Sequence, residues 1–207
     1  MSRLARILFS AMLASLPVAA AAQAAPAATG DTRERLVDLA IMYSDLHTNA
    51  PVGSCNCFWM SGGTAQLAIP VWRNFALVGE AGGHTTGSIP NFGVGLSLVS
   101  GMAGLRLRVP THTLFQPFGH ALVGGVHGFD GYFPVHPPRY PTSFDSSFAM
   151  VLGGGVDLAI SKHYWIRIVQ ADYHYSQLRN LQGDRQNQFR ISGGIVVRFP
   201  DWLWERQ

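Results

Sequence analysis

The residues best placed to do chemistry in this 207-residue chain are His174 and Ser176, in the run HYSQLRN, with Asp184 in the stretch that follows. Two positions apart on an extended strand, His174 and Ser176 share a face. A histidine that takes the serine proton while an acid orients the imidazole is the recurring arrangement of acyl transfer. The same spacing arises by chance at a loop rim, because such a triad is defined by geometry and not by sequence distance.

A second set is electrostatic. Glu80, Asp157, Asp172, Arg106, Arg167, Arg190 and Arg198 are scattered among Gly, Ala and Ser. Charges so spaced, if enclosed, must pair with one another. His84, His120 and His127 fall in or near this set as hydrogen-bonding groups. Metal ligation needs three or four converging ligands, and no spacing in the chain provides them, so neither a metal nor a cofactor is expected. Cys55 and Cys57 are the only cysteines. A bridge between them would close a very small, strained loop, so a local disulfide and two free thiols both stand as readings.

The elements that must position these groups are short and alternating. Eight period-two segments can be marked: 37–47, 64–71, 75–84, 93–107, 114–127, 148–160, 164–175 and 188–199. No 3.6-residue period is sustained beyond the N-terminal stretch. Three connections are short (72–74, 108–113 and 161–163), whereas 128–147 and 176–187 are long. Along 189–199, FRISGGIVVRF, the alternate positions Phe189, Ile191, Ile195, Val197 and Phe199 are apolar, and Arg190, Ser192 and Arg198 oppose them. One strand departs from this order. In WIRIVQADYHY, Arg167 has odd parity but Gln170, Asp172 and His174 are even, so either a bulge lies near Ile168 and Val169 or Arg167 reaches away to an interface.

Composition decides which face meets water. The first 24 residues carry Arg3 and Arg6, an uncharged apolar run and the small-residue ending Ala22-Gln23-Ala24, the pattern of an export signal. Residues 25–35 form a flexible lead, 36–199 a single barrel domain and 200–207 a tail. No later apolar run is long enough for a membrane helix, yet 47% of residues are hydrophobic and only 13% charged, about half the charged share usual in soluble domains. After the signal only Lys162 remains as a lysine, with 13 basic and 12 acidic residues in all. There is no basic stripe or finger spacing for nucleic acid. A solvated outer face would be rich in Lys and Glu. The polar face here is sparse and pairable, which suits an enclosed lumen with lipid outside, and only a closed barrel satisfies its backbone in hydrocarbon without helices. Trp72, Phe75, Trp165, Tyr173, Tyr175 and Phe199 are expected in interfacial girdles.

With these features the chain resembles the small outer-membrane β-barrel proteins of the OmpA-like, eight-stranded type. The resemblance rests on the export signal, the eight amphipathic segments, WIRIVQADYHY and NQFRISGGIVVRF. It implies an all-β, eight-stranded antiparallel up-and-down transmembrane β-barrel in the outer membrane of a diderm bacterium, in contact with outer-membrane lipid. It also implies delivery by periplasmic chaperones to the barrel-assembly machinery, which reads a final aromatic, here Phe199. Two departures are visible. PDWLWERQ follows Phe199, with Pro200 expected to stop the strand, and no peptidoglycan-binding domain follows the barrel. The pair His174 and Ser176 is similar to that of the outer-membrane lipid A deacylases, also eight-stranded, whose site faces lipid.

The expected function is structural or surface-interacting, through the loops 128–147 and 176–187. The extracellular partner is not identified by any motif. The lumen is expected to be closed by a network of Glu80, Arg106, His120, Asp157, Asp172, Arg190 and Arg198, since eight strands leave a bore that side chains fill. The alternatives are a lipid A-modifying hydrolase using His174 and Ser176, and a soluble lipocalin-like carrier of an apolar ligand.

Overall fold

In the computed structural model, residues 36–48, 57–89, 93–135, 140–180 and 183–200 are described. The export signal 1–24, the lead 25–35, Cys55 and the tail beyond Pro200 lie outside them. The alternating segments become eight strands: β1 (Leu36–Thr48), β2 (Phe58–Trp72), β3 (Phe75–Thr86), β4 (Leu96–Arg108), β5 (Phe115–Phe129), β6 (Asp145–Ala159), β7 (Tyr164–Ser176) and β8 (Gln186–Pro200). Each pairs antiparallel with its sequence neighbour, and β8 pairs with β1 to close the barrel. Closure leaves no open strand edge.

The connections alternate as the sequence predicts. β2 and β3 are joined by Arg73 and Asn74 alone, with Arg73 at φ 44°, the positive φ that tight hairpin turns require. Trp72 and Phe75 stack across this turn with centroids 6.0 Å apart. The long connections all lie at the opposite end.

The second segment extends further than expected. Alternation predicts it from Thr64, whereas β2 starts at Phe58. The reason is that the contrast between the two faces fades toward the long loops. Through most of each strand the outward positions are apolar, as with Ile41, Leu67, Leu77, Leu105, Leu152 and Ile195, and charged groups point inward. Near the long loops the inner face becomes mixed, with buried Thr48, Ser176 and Gln188 among apolar groups. Leu46, Phe58, Met60, Leu98 and Val126 turn inward and are buried, and Ile89, Phe133 and Leu178 from three of the loops pack on them. Outside, at the same end, are cross-strand polar pairs: Ser61 to Asp45 at 2.7 Å, Thr85 with Ser97 at 3.1 Å, His127 with Ser146 at 2.7 Å and Tyr173 to Asn187 at 2.5 Å. One such pair sits near the loop end of each of the four long-loop hairpins.

The outward apolar band has bilayer dimensions. On β6 it runs from Phe148 to Leu158, roughly ten steps of ~3.3 Å, or about 25 Å along the membrane normal at a tilt of ~40°. A soluble carrier would place these residues inside, so that alternative is overturned by the facing of Ile41, Leu152 and Ile195, each at least 60% exposed.

Candidate functional site

The interior is a continuous polar column whose members come from all eight strands. At the short-turn end Asp38 on β1 accepts from Arg108 at 2.5 Å and pairs with Arg198 at 3.1 Å. Arg198 also donates to Gln116 at 2.6 Å and lies over the Trp165 ring, 3.6 Å from its centroid. Trp165, expected in an outer girdle, instead turns inward against Ala40, Met42 and Val196, where a cation is available to its ring.

Above this layer Arg167 grips Asp157 through two bonds, 2.8 and 3.1 Å, and donates to Gln170 at 2.8 Å. It is wholly buried. The register shifts between Arg167 and Gln170, so Ile168 and Val169 both face outward. The bulge therefore resolves the parity conflict in WIRIVQADYHY, and Arg167 does not reach to an interface. Phe118 from β5 lies beneath two guanidiniums, Arg106 at 4.5 Å and Arg167 at 4.3 Å from its centroid.

Gln66 on β2 joins this layer to the next. Its Oε1 accepts from Arg106 and from Arg167, the latter at 2.7 Å, while its Nε2 donates to Glu80 at 2.5 Å. Arg190 then bridges two carboxylates. It donates to both oxygens of Glu80 at 2.7 and 2.9 Å, and to Oδ2 of Asp172 at 2.7 and 3.0 Å. Asp172 is further held by His120 at 2.9 Å and Gln170 at 2.7 Å. His120 and Asp172 meet across Gly153 of β6, whose register partners they are. A Cβ at Gly153 would fall 2.1 Å from Asp172 Oδ1, so glycine there is what admits the carboxylate.

All seven expected network residues, Glu80, Arg106, His120, Asp157, Asp172, Arg190 and Arg198, thus lie in the column and are nearly or fully buried. Asp38, Gln66 and Gln116 belong to it as well and were not anticipated. Inward parity was the available signal for Gln66, between outward Ala65 and Leu67, and for Asp38, next to outward Leu39. Among the described residues, five lumen arginines (Arg106, Arg108, Arg167, Arg190, Arg198) face four carboxylates (Asp38, Glu80, Asp157, Asp172). Arg106 bonds none of the four, and its Nε and Nη1 have no hydrogen-bond partner.

The acyl-transfer constellation is not assembled. His174 and Ser176 are buried inside the barrel, and His174 Nδ1 and Ser176 Oγ have no hydrogen-bond partner. Asp184 is exposed, and it accepts from the Asn180 backbone at 3.0 Å while its own amide donates to the Asn180 side chain. The polar face that carries His174 looks into the lumen, away from lipid, and the acid is turned elsewhere. No group of three or more His, Cys, Asp or Glu among the described residues could hold a metal. Cys57 is exposed with a free thiol.

No protein-family profile matches the chain, and no curated protein matches it. Solved structures do. Ail, the attachment invasion locus protein of Yersinia pestis, matches with 16% identity and a TM-score of 0.53 over 80% of this chain and 99% of its own. Neisserial surface protein A matches with 14% identity and a TM-score of 0.55 over 79% and 96%. The outer membrane protein OprG of Pseudomonas aeruginosa matches with 10% identity and a TM-score of 0.51 over 81% and 97%. The fold is that of the small eight-stranded outer-membrane β-barrels. At these identities the barrel architecture is what the proteins share.

Proposed function

We propose that the protein is an outer-membrane barrel whose role is structural and surface-interacting, with the long loops presented outside the cell. The observation that carries this reading is the outward apolar band that ends in polar pairs on the long-loop side. Apolar groups face outward over about 25 Å, the band height of outer-membrane barrels, and polar pairs take over at the loop end. Below that level the lumen is occupied by the paired column from Asp38 to Arg190, which leaves no room for a wide aqueous path and fixes the strands against one another. That one barrel of this architecture is named for attachment and invasion is in keeping with a role for the loops.

Export by the first 24 residues, passage through periplasmic chaperones and recognition of Phe199 by the barrel-assembly machinery belong to the same proposal. The test is fractionation of cells expressing the full chain, followed by protease treatment of intact cells. Outer-membrane recovery, heat-dependent gel mobility and cleavage confined to the connections at the long-loop end, among them 130–144 and 177–185, are expected. Recovery as a water-soluble monomer overturns the reading, and steady large conductance in planar bilayers overturns the closed lumen.

A further inference from the structure

The long loops do more than connect strands, because three of them build a pocket at the outer mouth. Tyr132, Phe133 and Pro134 come from the loop after β5, and Leu178, Arg179 and Asn180 from the loop after β7. Ile89 and Leu96 complete the walls. Phe58, Ile89, Phe133 and Leu178 in its lining are all buried and belong to the apolar cluster of the lumen.

Its size and rim select the occupant. The cavity volume is about 50 Å³, room for about four water-sized spheres and far below the several hundred Å³ of a small-molecule site. That suits the tip of one branched apolar side chain. At the rim Arg179 is fixed in place: its amide donates to buried Asp145 at 2.9 Å and its Nε pairs with the same carboxylate at 3.3 Å. Its side chain nonetheless keeps 43% of its surface exposed, so an oriented guanidinium remains open to a second carboxylate. In the same loop as Phe133, Tyr132 and Tyr140 are exposed, aromatics of the kind that dominate protein interfaces.

We propose that this pocket anchors one leucine-sized side chain of a partner polypeptide, with an acidic residue next to it in the partner pairing with Arg179. The assignment rests on the reading of the long loops as the interacting surface and gives that surface a partner chemistry. An apolar anchor in a closed pocket, ringed by polar groups, is where interface energy concentrates. The charge on Arg179 selects among partners that carry such an anchor.

The full chain, folded in lipid nanodiscs with methyl-labelled Ile and Leu, is titrated with acetyl-Gly-Leu-Glu-Gly-amide, the Leu-Lys and Ser-Glu counterparts, and 4-methylpentanoate. Saturable shifts at the Ile89 and Leu178 methyls are expected with Leu-Glu, at least threefold weaker with Leu-Lys and absent with Ser-Glu. Arg179→Gln should erase the preference for Glu over Lys while leaving the leucine-dependent shift, and Arg179→Lys, which keeps a cation beside Asp145, should retain the preference. Unshifted methyls in the folded barrel, or equal shifts with all three peptides, overturn the proposal. So does 4-methylpentanoate binding as tightly as the Leu-Glu peptide, since the site would then serve free carboxylic acids. Adhesion of cells bearing the barrel is scored separately. Peptide binding without adhesion sinks the adhesion role and keeps the pocket, and adhesion without peptide binding does the reverse.

Discussion

Arg190→Met should be among the most damaging single substitutions in the barrel. The side chain makes four charge-assisted bonds to two buried carboxylates. Its loss leaves Glu80 with Gln66 alone and Asp172 with His120 and Gln170. Removing one partner of a buried ion pair costs about 3–5 kcal/mol, because the other charge stays desolvated and unpaired. At 1.4 kcal/mol per tenfold, that is about two to three and a half orders of magnitude in the folding equilibrium. The cost belongs to the stranded charge and not to the missing volume, so adding Glu80→Gln should return part of it, with a coupling of about 1–3 kcal/mol. Arg106→Met is the internal control. That guanidinium is equally buried but bonds no carboxylate, and Arg167 still serves Gln66, so a cost below about 1 kcal/mol is expected, in line with apolar replacement of buried charge being near neutral. The assay is reversible urea unfolding in lipid vesicles, followed by gel mobility and tryptophan fluorescence. An Arg190→Met cost as small as that of an exposed pair, or a double variant as unstable as the sum of its parts, would refute the reasoning.

Other perturbations test the remaining features. Gly153→Ala should cost about 1–3 kcal/mol by overpacking, since its Cβ collides with Asp172, whereas Gly79→Ala, with nothing within 4 Å, should change stability by less than about 0.5 kcal/mol; the same urea titrations compare them. Leu152→Arg, at the middle of β6 and facing outward, should cost about 2–4 kcal/mol in a bilayer and Ser146→Arg at the loop end about 0–1 kcal/mol. Equal costs at the two positions would mean that the outer polar pairs do not mark the hydrocarbon boundary. Purified barrel should release no fatty acid from lipid A, and release that is lost in Ser176→Ala would restore the hydrolase.

Much of the barrel is legible in the chain because alternation is a local property. Whether Ile195 and Arg190 lie on opposite faces depends only on their separation along β8, and the near absence of lysine says that the polar face is enclosed. Parity thus places the members of the lumen network, and glycine-rich stretches such as 153–155 flag close approach. Partnership is another matter. Arg190 meets Glu80 from 110 residues away, a distance settled only when β8 closes on β1 and sets the stagger of every strand. The same closure decides the bulge at Ile168 and Val169, where the sequence allows two readings, and turns Trp165 inward to Arg198. The outer mouth is least legible of all, because Ile89, Phe133 and Leu178 sit in loops without periodicity, and their burial follows from three loops converging over one opening. The sequence by itself determined that this is a barrel with oil outside and charge within. Only the tertiary structure decided which charges pair, and that His174 and Ser176 are enclosed with the lumen groups and separated from lipid, because pairing and enclosure are properties of the closed cylinder and not of any one strand.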